Sequence, residues 1–211
     1  MIVTSVNIGL EKEIKWNGKK IMTGIYKSPV KSIELEKTDV KYDHVIDKRY
    51  HGGIDKACYI YSEDHYEYWQ SLYPDLDFEF GMFGENITVK GLNEHTVLIG
   101  DIYRIGGATV QVTQPRQPCF KLGVVFKTQN ILKQFISSGF SGVYLKILEG
   151  SMVKTGDSME LIERQHNSMS VKEIYSLLYD KQPYQDDIEF ALSINTLADA
   201  CKKNLLKRKT I

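Results

Sequence analysis

Most of the chain up to Glu163 reads as short apolar-rich runs, several of which alternate apolar with polar, the period expected of strands that bury one face. The runs are Ile2 to Ile8, Lys20 to Tyr26, Cys58 to Tyr61, Asn86 to Val89, Ile102 to Ile105, Thr109 to Thr113, Gly142 to Leu148 and Ser158 to Ile162. β-Branched and aromatic side chains fill them, which suits a pleated, half-buried surface. Gly106-Gly107 separates two of the runs, and glycine supplies the positive φ that a two-residue hairpin turn needs. The pattern predicts a mainly β, mostly antiparallel domain, and so many short strands favour closure into a barrel, which leaves no edge exposed.

A few helices interrupt and follow this pattern. Ser62 is placed to cap Glu63 to Leu72, with Glu63 and Asp64 in the first turn and Pro74 beyond the end. Asn130 to Ser138 puts Ile131, Leu132, Phe135 and Ile136 on one face and stops at Gly139. After Glu163 the period changes: Ser170 and Glu173 form a capping box, and Val171, Ile174, Tyr175, Leu177 and Leu178 recur at helical spacing. Ile188, Phe190, Ala191 and Leu192 mark a second C-terminal helix, and Leu197, Ala198, Cys201, Leu205 and Leu206 a third. The expected division is a β-barrel over 1–163 and a three-helix unit over 168–211, with Arg164-Gln165-His166-Asn167 as the joint. A helical unit of about 44 residues is marginal for independent folding, so it is expected to lean on the barrel or on a second copy in a homodimer.

Composition narrows the function. Lys plus Arg total 27 and Asp plus Glu total 27, so the chain lacks the cationic excess of a nonspecific nucleic-acid or membrane-surface binder. The basic end, Lys202, Lys203, Lys207, Arg208 and Lys209, suits a solvated helix C-terminus. Cys58, Cys119 and Cys201 are far apart with no CxxC pair, which excludes a zinc knuckle or dithiol motif. The N-terminal residues lack signal-peptide features and no run has the roughly 18 apolar residues of a membrane span, so a reducing cytoplasm is expected.

Three loops carry candidate chemistry. Gln114-Pro-Arg-Gln-Pro-Cys-Phe-Lys-Leu122 holds a lone cysteine between cations, and its prolines fix φ and remove amide donors, which predicts a stiff irregular loop. Arg116 and Lys121 would favour a Cys119 thiolate if they fold beside it, for nucleophilic attack or soft-metal ligation. The competing reading of any free cysteine is a small core hydrophobe, and it is preferred for Cys58 and Cys201. Arg49-Tyr-His-Gly-Gly-Ile-Asp-Lys56 offers Arg49, His51 and Lys56 as cationic or hydrogen-bonding heads, with Gly52 and Gly53 permitting close backbone approach, a set suited to an anion. Gly81-Met-Phe-Gly-Glu-Asn86 enters a strand with Glu85 and Asn86 able to fix loops or contact a heterocycle. His44, His65, His95 and His166 have no zinc-site spacing, and no phosphate-loop or GxGxxG motif is present.

Taken in order, His51-Gly-Gly-Ile-Asp-Lys-Ala57, Gly84-Glu-Asn86 and Gln114 to Leu122 resemble the MOSC domain family, named for the C-terminal domain of molybdenum cofactor sulfurases. The helical tail makes the chain similar to the YiiM-like bacterial branch. The resemblance implies a β-barrel around a molybdenum cofactor (molybdopterin) pocket. Cys119 then matches the molybdenum ligand and catalytic centre, and Arg116 the arginine of the Pro-Arg-x-Pro-Cys motif. Lys27, Arg49, His51, Gly52, Gly53, Asn86 and Lys121 join Arg116 as expected cofactor-binding residues. It further implies reduction of N-hydroxylated bases such as 6-hydroxylaminopurine in detoxification, with electrons from a separate reductase; a carrier or sulfur-transfer module is the alternative.

Overall fold

The computed structural model describes residues 1–44, 46 and 52–209. An eight-stranded sheet runs in the order β12-β8-β9-β10-β6-β7-β1-β4. Its strands are β1 (Ile2–Gly9), β4 (Lys27–Val30), β6 (Cys58–Ser62), β7 (Ile87–Lys90), β8 (Ile102–Ile105), β9 (Ala108–Pro115), β10 (Val143–Glu149) and β12 (Met159–Glu163). Every pair is antiparallel except β6 with β7. Parallel strands need a crossover, and α1 (Tyr66–Leu72) supplies it. Among the described residues the expected barrel is not closed by strand pairing. The β12 edge reaches β1 only through the bridge between Ile2 and Ser158 and adjoining backbone bonds, such as Met159 N to Met1 O at 2.9 Å. Alternation marks half-buried strands but says nothing of the stagger that closure requires.

The sheet has two small companions. β2 (Lys12–Trp16) and β3 (Lys19–Thr23) form a hairpin whose turn residues Asn17 and Gly18 have φ of 48° and 75°. Asn-Gly with both φ positive is the favoured two-residue turn, so the predicted strand 20–26 is one arm of a hairpin that ends at Thr23. β5 (Ser32–Glu34) pairs with β11 (Met152–Lys154). β4 is an edge strand, which is why Pro29 is tolerated within it.

The helix expected from Glu63 begins as a 3-10 turn, Glu63–His65, and becomes α-helical at Tyr66. Ser62 makes no capping bond, because its hydroxyl donates to Leu92 O at 3.0 Å. The expected loop 114–122 is shorter than predicted: β9 continues through Pro115, α2 (Phe120–Val125) starts right after Cys119, and the irregular stretch is Arg116 to Cys119. α3 (Asn130–Ser138) ends at Gly139 in the left-handed region, as its sequence foretold.

The C-terminal helices are α4 (Val171–Tyr179), α5 (Gln185–Ser193) and α6 (Asp199–Leu206). Their buried residues, among them Val171, Ile174, Ile188, Ala191, Cys201 and Leu205, share one apolar core with Val110 and Val112 of β9. The expected capping box is present: Ser170 Oγ accepts from Glu173 N at 3.1 Å, and Glu173 Oε2 accepts from Ser170 N at 2.7 Å. Ser170→Ala is expected to cost about 1 kcal/mol and to lower Tm by roughly 2–4 °C in a thermal melt.

Candidate functional site

A second core made of aromatic rings, including Tyr59, Tyr61, Trp69, Phe83, Phe135 and Tyr144, backs one open pocket. The pocket is open at its mouth and lined by cationic, polar and aromatic side chains, the mix of a few polar groups on an apolar wall that small-molecule sites use. Its walls come from distant segments: Thr23 to Ile25 after β3, Lys27 at the start of β4, Lys56 and Tyr59 at the entry to β6, Asn86 before β7, and Arg116, Cys119 and Lys121 between β9 and α2.

Arg116 is the most constrained of these. It is 5% exposed, and its guanidinium lies 5.1 Å from the Tyr59 ring centroid and 5.4 Å from that of Phe135. Such cation–π contact offsets part of the cost of burial. Burial works against its charge, yet Tyr59, Tyr144 and Cys119 beside it more than compensate and hold the guanidinium above its ordinary value. It therefore stays charged, while its Nη1 is buried and has no hydrogen-bond partner among the described residues. A buried charged donor left unpaired costs several kcal/mol in order of magnitude, so this atom points to an anion as its partner.

Lys27 is held by charge pairing. Its ammonium meets Asp43 Oδ2 at 2.5 Å, with side chains only 7% and 2% exposed. Asp43 also accepts from Gly9 N at 2.8 Å and from Asn86 Nδ2 at 2.9 Å. Asn86 is committed on its other side too, since its Oδ1 accepts from Tyr59 N at 3.2 Å. Asn86 thus lines the pocket while its amide fixes Asp43 and, through it, Lys27. Nearby the chain passes itself closely: a Cβ at Gly24 would sit 1.8 Å from His44 O, so that wall admits no side chain there.

Lys56 enters from the 3-10 turn Ile54–Lys56, which Thr113 Oγ1 pins by donating to Asp55 O at 2.6 Å. Its ammonium lies 5.8 Å from the Tyr144 ring centroid, and burial pushes it below the ordinary lysine value. Gly53, at φ 93°, sets up this turn; neither it nor Gly52 is part of the pocket wall. Arg49 and His51 fall outside the described residues. Cys119 is a half-buried free thiol, whereas burial pushes Cys58 and Cys201 up to about 12, in keeping with core-filling roles.

Of the expected site residues, Lys27, Asn86, Arg116, Cys119 and Lys121 therefore meet in one pocket. Glu85 does not join them. It is fully buried and accepts from Tyr66 Oη at 2.5 Å, Gly81 N at 2.8 Å and Phe83 N at 3.1 Å, so it organises the loop that presents Asn86. Sequence reasoning missed Asp43, Tyr59 and Tyr144. No motif marks them, because their roles arise only when Lys27 and Arg116 fold against them.

The pocket and the sheet that carries it define a class. A family model described as MOSC domain matches residues 47–160. The uncharacterized protein YflK of Bacillus subtilis (strain 168) is 36% identical over 208 residues, 98% of this chain and 94% of that one. A protein named Reductase from Gibberella moniliformis (strain M3125 / FGSC 7600) is 35% identical over 132 residues, which are 61% of this chain and 23% of its own length. The crystal structure of YiiM from Geobacillus stearothermophilus superposes with a TM-score of 0.82 at 30% identity, covering 99% of each chain. This chain belongs to the MOSC domain family, and its fold, C-terminal helices included, matches that of a YiiM-like member. Among the described residues no helix is long and apolar enough to cross a membrane.

Proposed function

We propose that this protein holds a molybdenum–pterin cofactor at Cys119 and reduces N-hydroxylated compounds, 6-hydroxylaminopurine-type bases among them, to the corresponding amines. The observation that carries the reading is the buried Arg116 Nη1, unpartnered among the described residues, beside a half-buried thiol in a pocket lined also by Lys27, Lys56 and Lys121. A soft thiolate suits molybdenum, and clustered cations suit the phosphate of a pterin cofactor. Among the described residues no group of three or more His, Cys, Asp or Glu side chains is placed to hold a metal. When bound, the cofactor would supply two-electron chemistry toward an N–O bond, and the protein contributes binding, orientation and electrostatics.

The residues divide this work. Arg116 stays charged and offers Nη1 to the anion; Lys56 and Lys121 add cationic heads at the wall. Asp43 and Asn86 keep the Lys27 ammonium in place. The overall reaction takes R–NHOH, two electrons and two protons to R–NH2 and water, with the electrons from a separate reductase and the protons from solvent. The relative named Reductase, in which the matched segment is 23% of the length, supports an oxidoreductase reading.

The test is single turnover. Protein purified anaerobically from cells that make the cofactor is reduced chemically, freed of excess reductant and mixed with 6-hydroxylaminopurine. Adenine released in step with reoxidation, about one per molybdenum, is the expected result. Bound cofactor with no reoxidation would leave a carrier and end the reductase reading.

A further inference from the structure

The helices α4 to α6 lie outside the matched MOSC segment 47–160, yet they touch the pocket's working parts from behind. Asn204 Nδ2 on α6 donates to Gln117 Oε1 at 2.9 Å, and Gln117 sits in the four-residue stretch that ends at Cys119. That stretch lies between Pro115 and α2 and contains Pro118, so two of its positions or neighbours lack the N–H that would otherwise pin a loop. The backbone leading into α6 docks on β9 just upstream, where Ala198 N donates to Thr113 O at 3.2 Å. A parallel contact supports Arg116: Tyr175 Oη on α4 donates to Phe135 O at 3.4 Å, and the Phe135 ring carries the guanidinium. The helices are therefore fastened to Gln117, two residues before Cys119, and to Phe135, whose ring lies against Arg116.

We infer that Asn204 is a positioning residue for the candidate ligand Cys119, and that the C-terminal helices complete the site by clamping its loop through Gln117. This rests on the reading of Cys119 as the ligand, but its test does not need cofactor or activity. In metal-free protein, Cys119 is the half-buried thiol while Cys58 and Cys201 are buried, so a thiol reagent such as iodoacetamide labels it selectively. Asn204→Ala and, independently, Gln117→Ala each release the loop. The labelling rate at Cys119, read by peptide mass spectrometry, should rise roughly two- to tenfold, the factor that one neutral hydrogen bond accounts for. The exchanged pair Gln117→Asn with Asn204→Gln restores the bond with the same total length and should return the rate toward the native value. A general loosening would not respond to that exchange. Native labelling rates in both single variants, or an exchanged pair that labels as fast as either, would overturn the inference. Should α6 fail to fold in Asn204→Ala, Gln117→Ala leaves the helix untouched and decides alone.

Discussion

Cys119→Ser is expected to purify folded and free of molybdenum, whereas the native protein from the same anaerobic preparation should carry metal and pterin in comparable amounts. The exchange of sulfur for oxygen barely changes shape, but it replaces a soft, ionisable thiol by a hard, neutral hydroxyl that is a poor ligand for this metal. The residue is half-buried and opens a short helix without any capping bond from its side chain, so the fold has little to lose. Substitutions of this kind stay within about 0.5 kcal/mol, which bounds the shift in Tm to roughly 2 °C. Metal is read by mass spectrometry and pterin by fluorescence after oxidation. Cys58→Ala and Cys201→Ala are the controls; each costs stability because the side chains are 1% exposed, and each should keep its metal. A Cys119→Ser protein with native metal content would end the assignment of the ligand, and with it the reductase proposal.

The pocket also shows which parts of such a protein a sequence exposes. The C-terminal helices are legible because each buries one stripe, and Ser170 with Glu173 announces the first of them. The long strands are legible by alternation, except β6, whose five residues are all buried because the strand is covered on both faces. The short strands β4, β5 and β11 escape notice since three or four residues at an edge, mostly exposed, carry no period to read. Asn17-Gly18 is a favoured hairpin turn that sequence reasoning missed together with β2, whose Trp16 stacks on Phe120, with ring centroids 4.8 Å apart, next to Cys119. Arg116, Cys119 and Lys121 stand together in the sequence and remain together in space. Asp43 is different: it lies 16 positions from Lys27 and 43 from Asn86, and only the fold makes it their common partner.

That partnership sets the second large effect. Asp43→Ala should lower stability by about 3–5 kcal/mol, the cost of leaving a buried charge without its counter-ion. In a chain of this size the corresponding fall in Tm is roughly 6–20 °C. The carboxylate is 2% exposed and serves three donors at once, the Lys27 ammonium, Gly9 N and Asn86 Nδ2, so its removal takes this acceptor from all three. The size of the loss comes mainly from the stranded ammonium, and a double variant separates that cause from the others. Lys27→Met with Asp43→Asn removes the charge pair together and keeps a carbonyl oxygen for Gly9 N, and buried pairs replaced as a unit lose little. Denaturant melts should therefore find the double variant more stable than Asp43→Ala by more than half of the original deficit. A double variant no better than the single would show that the hydrogen bonds to Gly9 and Asn86 carry the stability. In either case the charge on the pocket wall changes: with Asp43 gone, Lys27 is the wall's loose cation, and with both exchanged, the lysines and arginines left on the wall among the described residues are Arg116, Lys56 and Lys121.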